Sequence, residues 1–405
     1  MTTSTLLTSS HLSTQRTAIE AQELTLKMLP ASSRAVALSE WRRLEVELSN
    51  SRLTCSSLWT EIWLNNYGAI VPHQFAIGLR GNRTCAIALL TQGVNQHAGP
   101  IGLNTWHVGT AGEPERDSVF VEYNSLLARP EDQVEFGCAL WKWVREQTRC
   151  DEFRLDGFDP LTIHWILQQH PQVSVERKSS RYFDLMAARE AHVQPISLLG
   201  TSTRANIRKS LRELGNPVGE WADTAQRAEE MFHQMVELHQ ARWNAAGHPG
   251  VYASRRFFNF HLELLHRAVP LGVSTIFGVK SAHQDIGFSH IMIDGQRVLM
   301  YQCGRVQTRD KTSPGMLVDY LCIEESSRRG YDAFDFLAGE SDHKRRLSTH
   351  RAELAWVVWQ RRNIKNATIN AVRSMKRIGM QLLRPKSATS DALTNEHTQP
   401  QKVEG

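Results

Sequence analysis

The stretch from Ile291 to Arg346, around which the rest of the chain is organised, reads strand, short loop, helix, strand, charged loop. Arg297-Val-Leu-Met-Tyr-Gln-Cys303 is β-branched and apolar enough for a buried strand. Gly304 to Lys311 is polar and ends it. Ser313-Pro314-Gly315 then opens a helix. The Ser313 hydroxyl suits an N-cap, and Pro314 suits the first helical position, where its missing N–H loses no partner. Met316 to Arg329 is the helix body, with Leu317, Val318, Leu321 and Cys322 on one side and Glu324, Glu325, Arg328 and Arg329 on the other. Gly330 ends it. Tyr331 to Phe336 is the next strand, and Glu340, Asp342, His343, Lys344, Arg345 and Arg346 crowd the loop beyond. A helix entered from a strand aims free N–H groups and a partial positive charge at whatever precedes it. That is a site suited to a pyrophosphate.

The whole chain follows the same α/β grammar twice. The first unit has a helix at Leu38–Leu48, a hairpin of Phe75–Arg80 and Thr84–Leu90 about a Gly81-Asn82 turn, and a strand at Val119–Ser125. A helix at 136–149 and an acidic strand at Asp151–Asp156 complete it. The second unit has helices at Thr224–Ala246 and Arg255–Arg267, then strands at Thr275–Lys280, Ile286–Ile293 and Val298–Cys303. The helix at 316–329 and the acidic strand at 331–336 follow. The expected layout is a tail over 1–35 with a short helix near Ile19–Leu29, an N-terminal lobe over 36–190 and a C-terminal lobe over 191–363. A basic helix over 364–384 and a second tail over 385–405 end the chain, with the link between lobes near 188–199.

The pieces Tyr301-Gln-Cys-Gly304, Ser313-Pro314-Gly315, Asp335-Phe336 and Lys344-Arg345, in that order, resemble the second half of a known enzyme family. It is the CelD-like, cellulose-biosynthesis-associated branch of the GNAT-like acyltransferases, related to the Fem peptidyltransferases. The branch opens its helix with Ser-Pro-Gly and closes with an Asp-Phe strand and an aromatic-Lys-Arg. Thr203-Arg204-Ala-Asn206-Ile-Arg208-Lys209 and His239-Gln-Ala-Arg242-Trp243 fit it as well. Two features depart from the pattern: His343 replaces the usual aromatic, and the Gly-rich loop of ordinary GNAT enzymes is absent.

The resemblance implies two tandem GNAT-like lobes with mixed α/β sheets. It also implies an N-acyltransferase that moves an acyl group from acetyl-CoA or another acyl-CoA to an amine, with an amino sugar or a cell-surface polysaccharide precursor as acceptor. Such chemistry needs a pyrophosphate site, a donor for the oxyanion and an acid/base. Asp335, Lys344, Glu340 and Tyr301 are the catalytic candidates, since open α/β sheets place ligands at strand ends. His343 is a weaker alternative base. Gly304, Ser313, Pro314, Gly315 and Arg345 are the donor-binding candidates. Two other classes stay open: a non-catalytic ligand- or partner-binding member of a polysaccharide export system, and a transferase using aminoacyl-tRNA as donor.

Composition narrows the setting. A formal net charge of +5 on 405 residues does not by itself call for nucleic acid, leaving tRNA as a possible partner but no specific one expected. Six cysteines are scattered without metal spacing, and the 17 histidines show no ligand pattern, so no metal is expected. No apolar run is long enough to span a bilayer, and the N-terminus does not read as a signal peptide. The expected location is cytoplasmic, with weak peripheral contact at the inner membrane face. That contact rests on the C-terminal helix, where Ile364, Ala371, Met375, Ile378 and Leu382 form an apolar stripe flanked by Lys365, Arg373, Lys376 and Arg377. The helix is expected to dock mainly on the second lobe.

Overall fold

The computed structural model describes residues 22–48, 52–169, 173–282, 284–307 and 313–383. The first unit runs β1 (Leu24–Pro30), α1 (Arg34–Glu47), α2 (Ser57–Tyr67), β2 (His73–Arg80), β3 (Arg83–Gln92), β4 (His97–Ala98) and β5 (Ile101–Gly102). It continues with β6 (Thr105–Val108), β7 (Leu127–Ala128), α3 (Gln133–Glu146), β8 (Glu152–Phe158), α4 (His164–Gln169) and β9 (Ser174–Asp184). After α5 (Leu185–Glu190) and α6 (Thr201–Glu213) come β10 (Val218–Trp221), α7 (Ala225–Ala245), α8 (Arg255–Ala268), β11 (Ser274–Lys280), β12 (Asp285–Asp294) and β13 (Arg297–Arg305). Then follow α9 (Pro314–Arg328), β14 (Ala333–Ala338), α10 (Asp342–Leu347), β15 (His350–Gln360) and α11 (Ile364–Leu383).

All strands except β4 and β5 join one mixed sheet, in the order β1-β2-β3-β6-β8-β15-β9-β14-β13-β12-β11-β10, with β7 on β3. Read from either edge, the pairing is the same: three antiparallel steps, one parallel step (β6 with β8, β13 with β14), then an antiparallel centre. The central pair is itself two-fold. His350 faces Tyr182 at one end, Ser174 faces Val358 at the other, and Lys178 with Leu354 marks the middle. Two copies of one unit are therefore joined about a pseudo-dyad, as the repeated grammar implies.

Each copy's last strand lies inside the other. β9 sits between β15 and β14, and β15 sits between β8 and β9. β9 reads Ser-Val-Glu-Arg-Lys-Ser-Ser-Arg, too polar to announce a central strand. Its charges are met on both sides, Arg177 by Glu353 across the ladder and Arg181 by Glu340, just past β14, at 2.7 Å, with Lys178 4.4 Å over the Trp356 ring.

Three apolar layers fill the two faces. On one face α1 and α2 of the first copy and α7 and α8 of the second share one continuous core: Trp59 meets Phe260 edge-on at 4.9 Å. The other face carries α3 and α4 over the first copy, and α5, α6 and α9 over the second. Full burial of one such aromatic contributes about 1.5–3 kcal/mol, so separating the copies would cost several such side chains.

Four readings change. Leu24–Pro30 is an edge strand rather than tail or helix, because Leu24, Leu26 and Met28 alternate onto the first-copy core. Val119–Ser125 is not a strand; only Asn124 bridges to Phe158. Ser313 makes no side-chain cap; its N–H donates to Ser210 Oγ at 3.3 Å instead. The C-terminal helix docks on the first lobe, because β15 ends beside β8 and delivers the helix there. No disulfide joins any two of the six cysteines, and among the described residues no helix is long and apolar enough to cross a membrane.

Candidate active site

β13 and β14 pair only from Arg297–Leu299 with Ala333–Asp335, then part. Beyond that point β13 continues to Arg305 and β14 to Ala338. The corresponding gap in the first copy, between β6 and β8, is taken up by residues 119–125. Asn124 N donates to Gly157 O at 3.0 Å, and Gly157, at φ +71°, lies against Glu122. The same segment reaches across the dyad into the second copy.

Glu122 is 2% exposed and accepts the Ala338 N–H at 3.3 Å. Lys344, 6% exposed, donates from Nζ to Ala338 O at 2.8 Å and Leu337 O at 3.2 Å. An acid from one copy and a cation from the other thus grip one residue. Burial pushes the Glu122 carboxyl up to about 7 against the pull of the Lys344 charge. Burial likewise pulls the Lys344 ammonium below the usual lysine range, against the charges of Glu122 and Asp335.

Two further groups belong to this cluster. Glu113 is buried and is pushed by burial to about 7. Its Oε1 accepts Val119 N–H at 3.0 Å, and its Oε2 has no hydrogen-bond partner among the described residues. Tyr301, on β13, is 6% exposed, and its phenol is held protonated by burial and by the charges of Glu113 and Glu122. Its ring packs 5.0 Å from His261 and 5.9 Å from His290.

Asp335 plays a different part. Fully buried, it accepts Tyr123 Oη and Arg297 Nη1, each at 2.6 Å, and Ser180 Oγ and Leu337 N–H, each at 2.7 Å. Those bonds satisfy the carboxylate and tie Tyr123 and Ser180 of the first copy to the second. Tyr123 at φ +68° and Leu337 at φ +61° hold backbone that L residues avoid, a cost of about 1 kcal/mol or more each. Glu340 lies apart, half exposed and paired with Arg181, which keeps its carboxyl low despite partial burial.

The donor candidates divide similarly. Gly304 does approach backbone closely, but the backbone is the protein's own: a Cβ there would lie 2.0 Å from Met235 O on α7. A Cβ on Gly315 would meet Arg305 Nη1 at 2.7 Å. Arg305 is buried beneath the opening of α9 and bound to Asp319, whose other oxygen meets His343 Nε2 at 2.5 Å. Pro314 starts α9, and α6, with Arg204, Arg208, Lys209 and Arg212, joins that opening through Ser210. Arg345 is exposed and paired with Asp342 on its own helix. Trp243 donates to His239 Nε2 at 3.0 Å, a packing role. Among the described residues no three metal-ligating side chains gather.

Sequence reasoning missed Glu122, Glu113 and Tyr123. Glu122 and Tyr123 have their partners in the other copy, and Glu113 is held by Val119 N–H in a stretch without strand or helix pattern, so nothing near them in the chain marks them.

Residues 201–345, from α6 into α10, match the model of the acetyltransferase (GNAT) domain. That stretch is an acyltransferase domain. The chain is similar in structure to FemX, at 11% identity and TM-score 0.52 over 79% of this chain and 95% of that one. It is similar also to the C-terminal DUF2156 domain of a protein from Agrobacterium fabrum, at 11% identity and TM-score 0.50 over 85% and 97%. A tandem GNAT protein from the clavulanic acid biosynthesis pathway aligns at 12% identity and TM-score 0.46 over 84% and 98%. At these identities the likeness is one of fold. No curated protein matches the chain in sequence.

Proposed function

We propose that the lobe spanning 191–363 transfers an acyl group from acyl-CoA to an amine, at a site that the lobe spanning 36–190 completes. One observation carries this reading: Glu122 and Lys344, buried and from different copies, meet at Ala338 where β13 and β14 have parted. The amine nitrogen attacks the thioester carbon, the C–N bond forms, and Glu122 takes the proton the nitrogen sheds. Two of the three Lys344 N–H groups are held by carbonyls; the third faces the developing oxyanion. The C–S bond breaks, and the thiolate leaves with a proton from Tyr301, which is restored through Glu122. The donor pyrophosphate lies against the first turn of α9, where helix N–H groups are free and which α6, carrying Arg208 and Lys209, joins through Ser210.

The resemblance to the CelD-like branch supports an amino sugar or a polysaccharide precursor as acceptor, and with it a place at the cytoplasmic face of a membrane. The test follows thiol release from acetyl-CoA and longer acyl-CoAs against a panel of amines that includes amino sugars. Release that depends on the amine in the wild type and is lost in Lys344→Ala supports the reading. Release that is independent of any amine, or unchanged in the variant, overturns it.

A further inference from the structure

Helix α11 is held to the first copy, and to the end of β15 that lies beside it, by its polar side. Asn366 Nδ2 donates to Asp151 O at 3.0 Å and Arg361 O at 2.9 Å, Lys365 Nζ meets Asp151 Oδ2 at 2.5 Å, and Asn370 Nδ2 donates to Gln360 Oε1 at 2.8 Å. Arg373 lies 3.8 Å from Glu152. The apolar contribution to this seat is Ile369, buried with Ala98 and Leu103.

Three larger apolar residues among those described point elsewhere. Ile364 is 87% exposed, Met375 64% and Val372 42%. At 3.6 residues per turn, Val372 and Met375 return to within about a quarter turn of Ile364, whereas Ile369 and Arg373 lie across the helix. An ordinary surface helix buries its apolar stripe and wets its polar face. Over its described side chains this one, Ile369 apart, does the reverse.

Charge names the occupant. Between Glu353 and Asp391 the sequence holds eight Lys or Arg (361, 362, 365, 373, 376, 377, 384, 386) and no acid. Arg361, Lys365 and Arg373 are engaged with the first copy, so the charge on offer to a partner is that of the other five. A second copy placed isologously on this face would set that basic run against itself. A nucleic acid would use the charge and leave the apolar residues wet. An anionic lipid surface uses both, taking the apolar face to the acyl boundary and the cations to the headgroups. We propose that α11 seats the protein on anionic membrane through the face that it turns away from the first copy.

The experiment is co-sedimentation of the full chain with phosphatidylcholine vesicles, with and without phosphatidylglycerol, at low and high salt. The wild type and Val372→Glu/Met375→Glu are compared. Expected is pelleting with the anionic vesicles at low salt, lost at high salt and lost in the double variant. The melting temperature and thiol release with a soluble amine stay unchanged, because both positions are exposed and far from Glu122 and Lys344 in the chain. That last readout separates a failure here from a failure of the acyl-transfer reading. Three results overturn the proposal: no pelleting, pelleting that survives the double substitution, or sedimentation equilibrium showing a dimer that the double variant dissolves. Binding that appears only after removal of residues 385–405 also overturns it, since the chain's own end would then cover the face.

Discussion

Glu122 and Lys344, one from each copy of the repeat, hold opposite ends of the same residue: the carboxylate accepts the Ala338 N–H at 3.3 Å and the ammonium donates to the Ala338 carbonyl at 2.8 Å. Neither copy alone assembles the pair.

Asp335 is expected to matter for the fold rather than for proton transfer. Asp335→Asn leaves Arg297 without its buried partner, and breaking a buried ion pair typically costs about 3–5 kcal/mol. Urea denaturation of the variant checks this. A midpoint equal to the wild type's, with turnover abolished, would return Asp335 to the list of acid/base groups.

The two glycines separate packing from ligand binding. Gly304→Ala drives a methyl into Met235 O and should destabilise by about 1–3 kcal/mol, while the folded fraction keeps its affinity for acyl-CoA. Gly315→Asp adds a negative charge at the opening of α9 and displaces Arg305, so calorimetry should show weakened acyl-CoA binding. Weakened binding in the first and unchanged binding in the second would move the donor site away from α9.

Strand exchange forbids the lobes from folding apart. Residues 191–405 expressed alone lack β9, leaving β14 and β15 with open edges. Expected is insoluble or partly folded material, with soluble heterodimer recovered when residues 1–190 are co-expressed. A stable, monomeric fragment 191–405 would contradict the exchange.

How much of this the sequence displays depends on distance along the chain. The repeat, the hairpins and the helix opening at Pro314 are local patterns, and they were readable because periodicity and turn chemistry act over a few residues. β9 was not, because its polar side chains are stabilised by β15, a strand whose pairing with it no local signal reports. Lys344 stood out through its motif and lies where a catalytic group could act. Asp335, equally prominent, is consumed by four hydrogen bonds. Glu122 sits in Val-Phe-Val-Glu-Tyr-Asn, an unremarkable stretch whose meaning comes from Ala338, far along the chain. His343, the departure from the family pattern, has its own partner in Asp319.

Burial of Glu122 also ties stability to pH. Its carboxyl is raised in the folded state, so the neutral form is favoured there. That contribution is full below the ordinary carboxylate range and lost as pH rises through about 7. Thermal melts of wild type and Glu122→Gln across this range should converge at low pH and separate above it, with the variant the more stable. Parallel curves would mean that Glu122 is ionised throughout.

The central claim is that Glu122 is the base and Lys344 the cation of one acyl-transfer site. The most direct measurement is the pH dependence of kcat/KM for amine-dependent thiol release in wild type, Glu122→Gln and Lys344→Ala. The wild type should gain rate as pH passes about 7, where Glu122 loses its proton. Glu122→Gln should lack that limb, and each variant should lose on the order of a hundredfold or more at the plateau. A Glu122→Gln enzyme with the wild-type profile and rate would contradict the account.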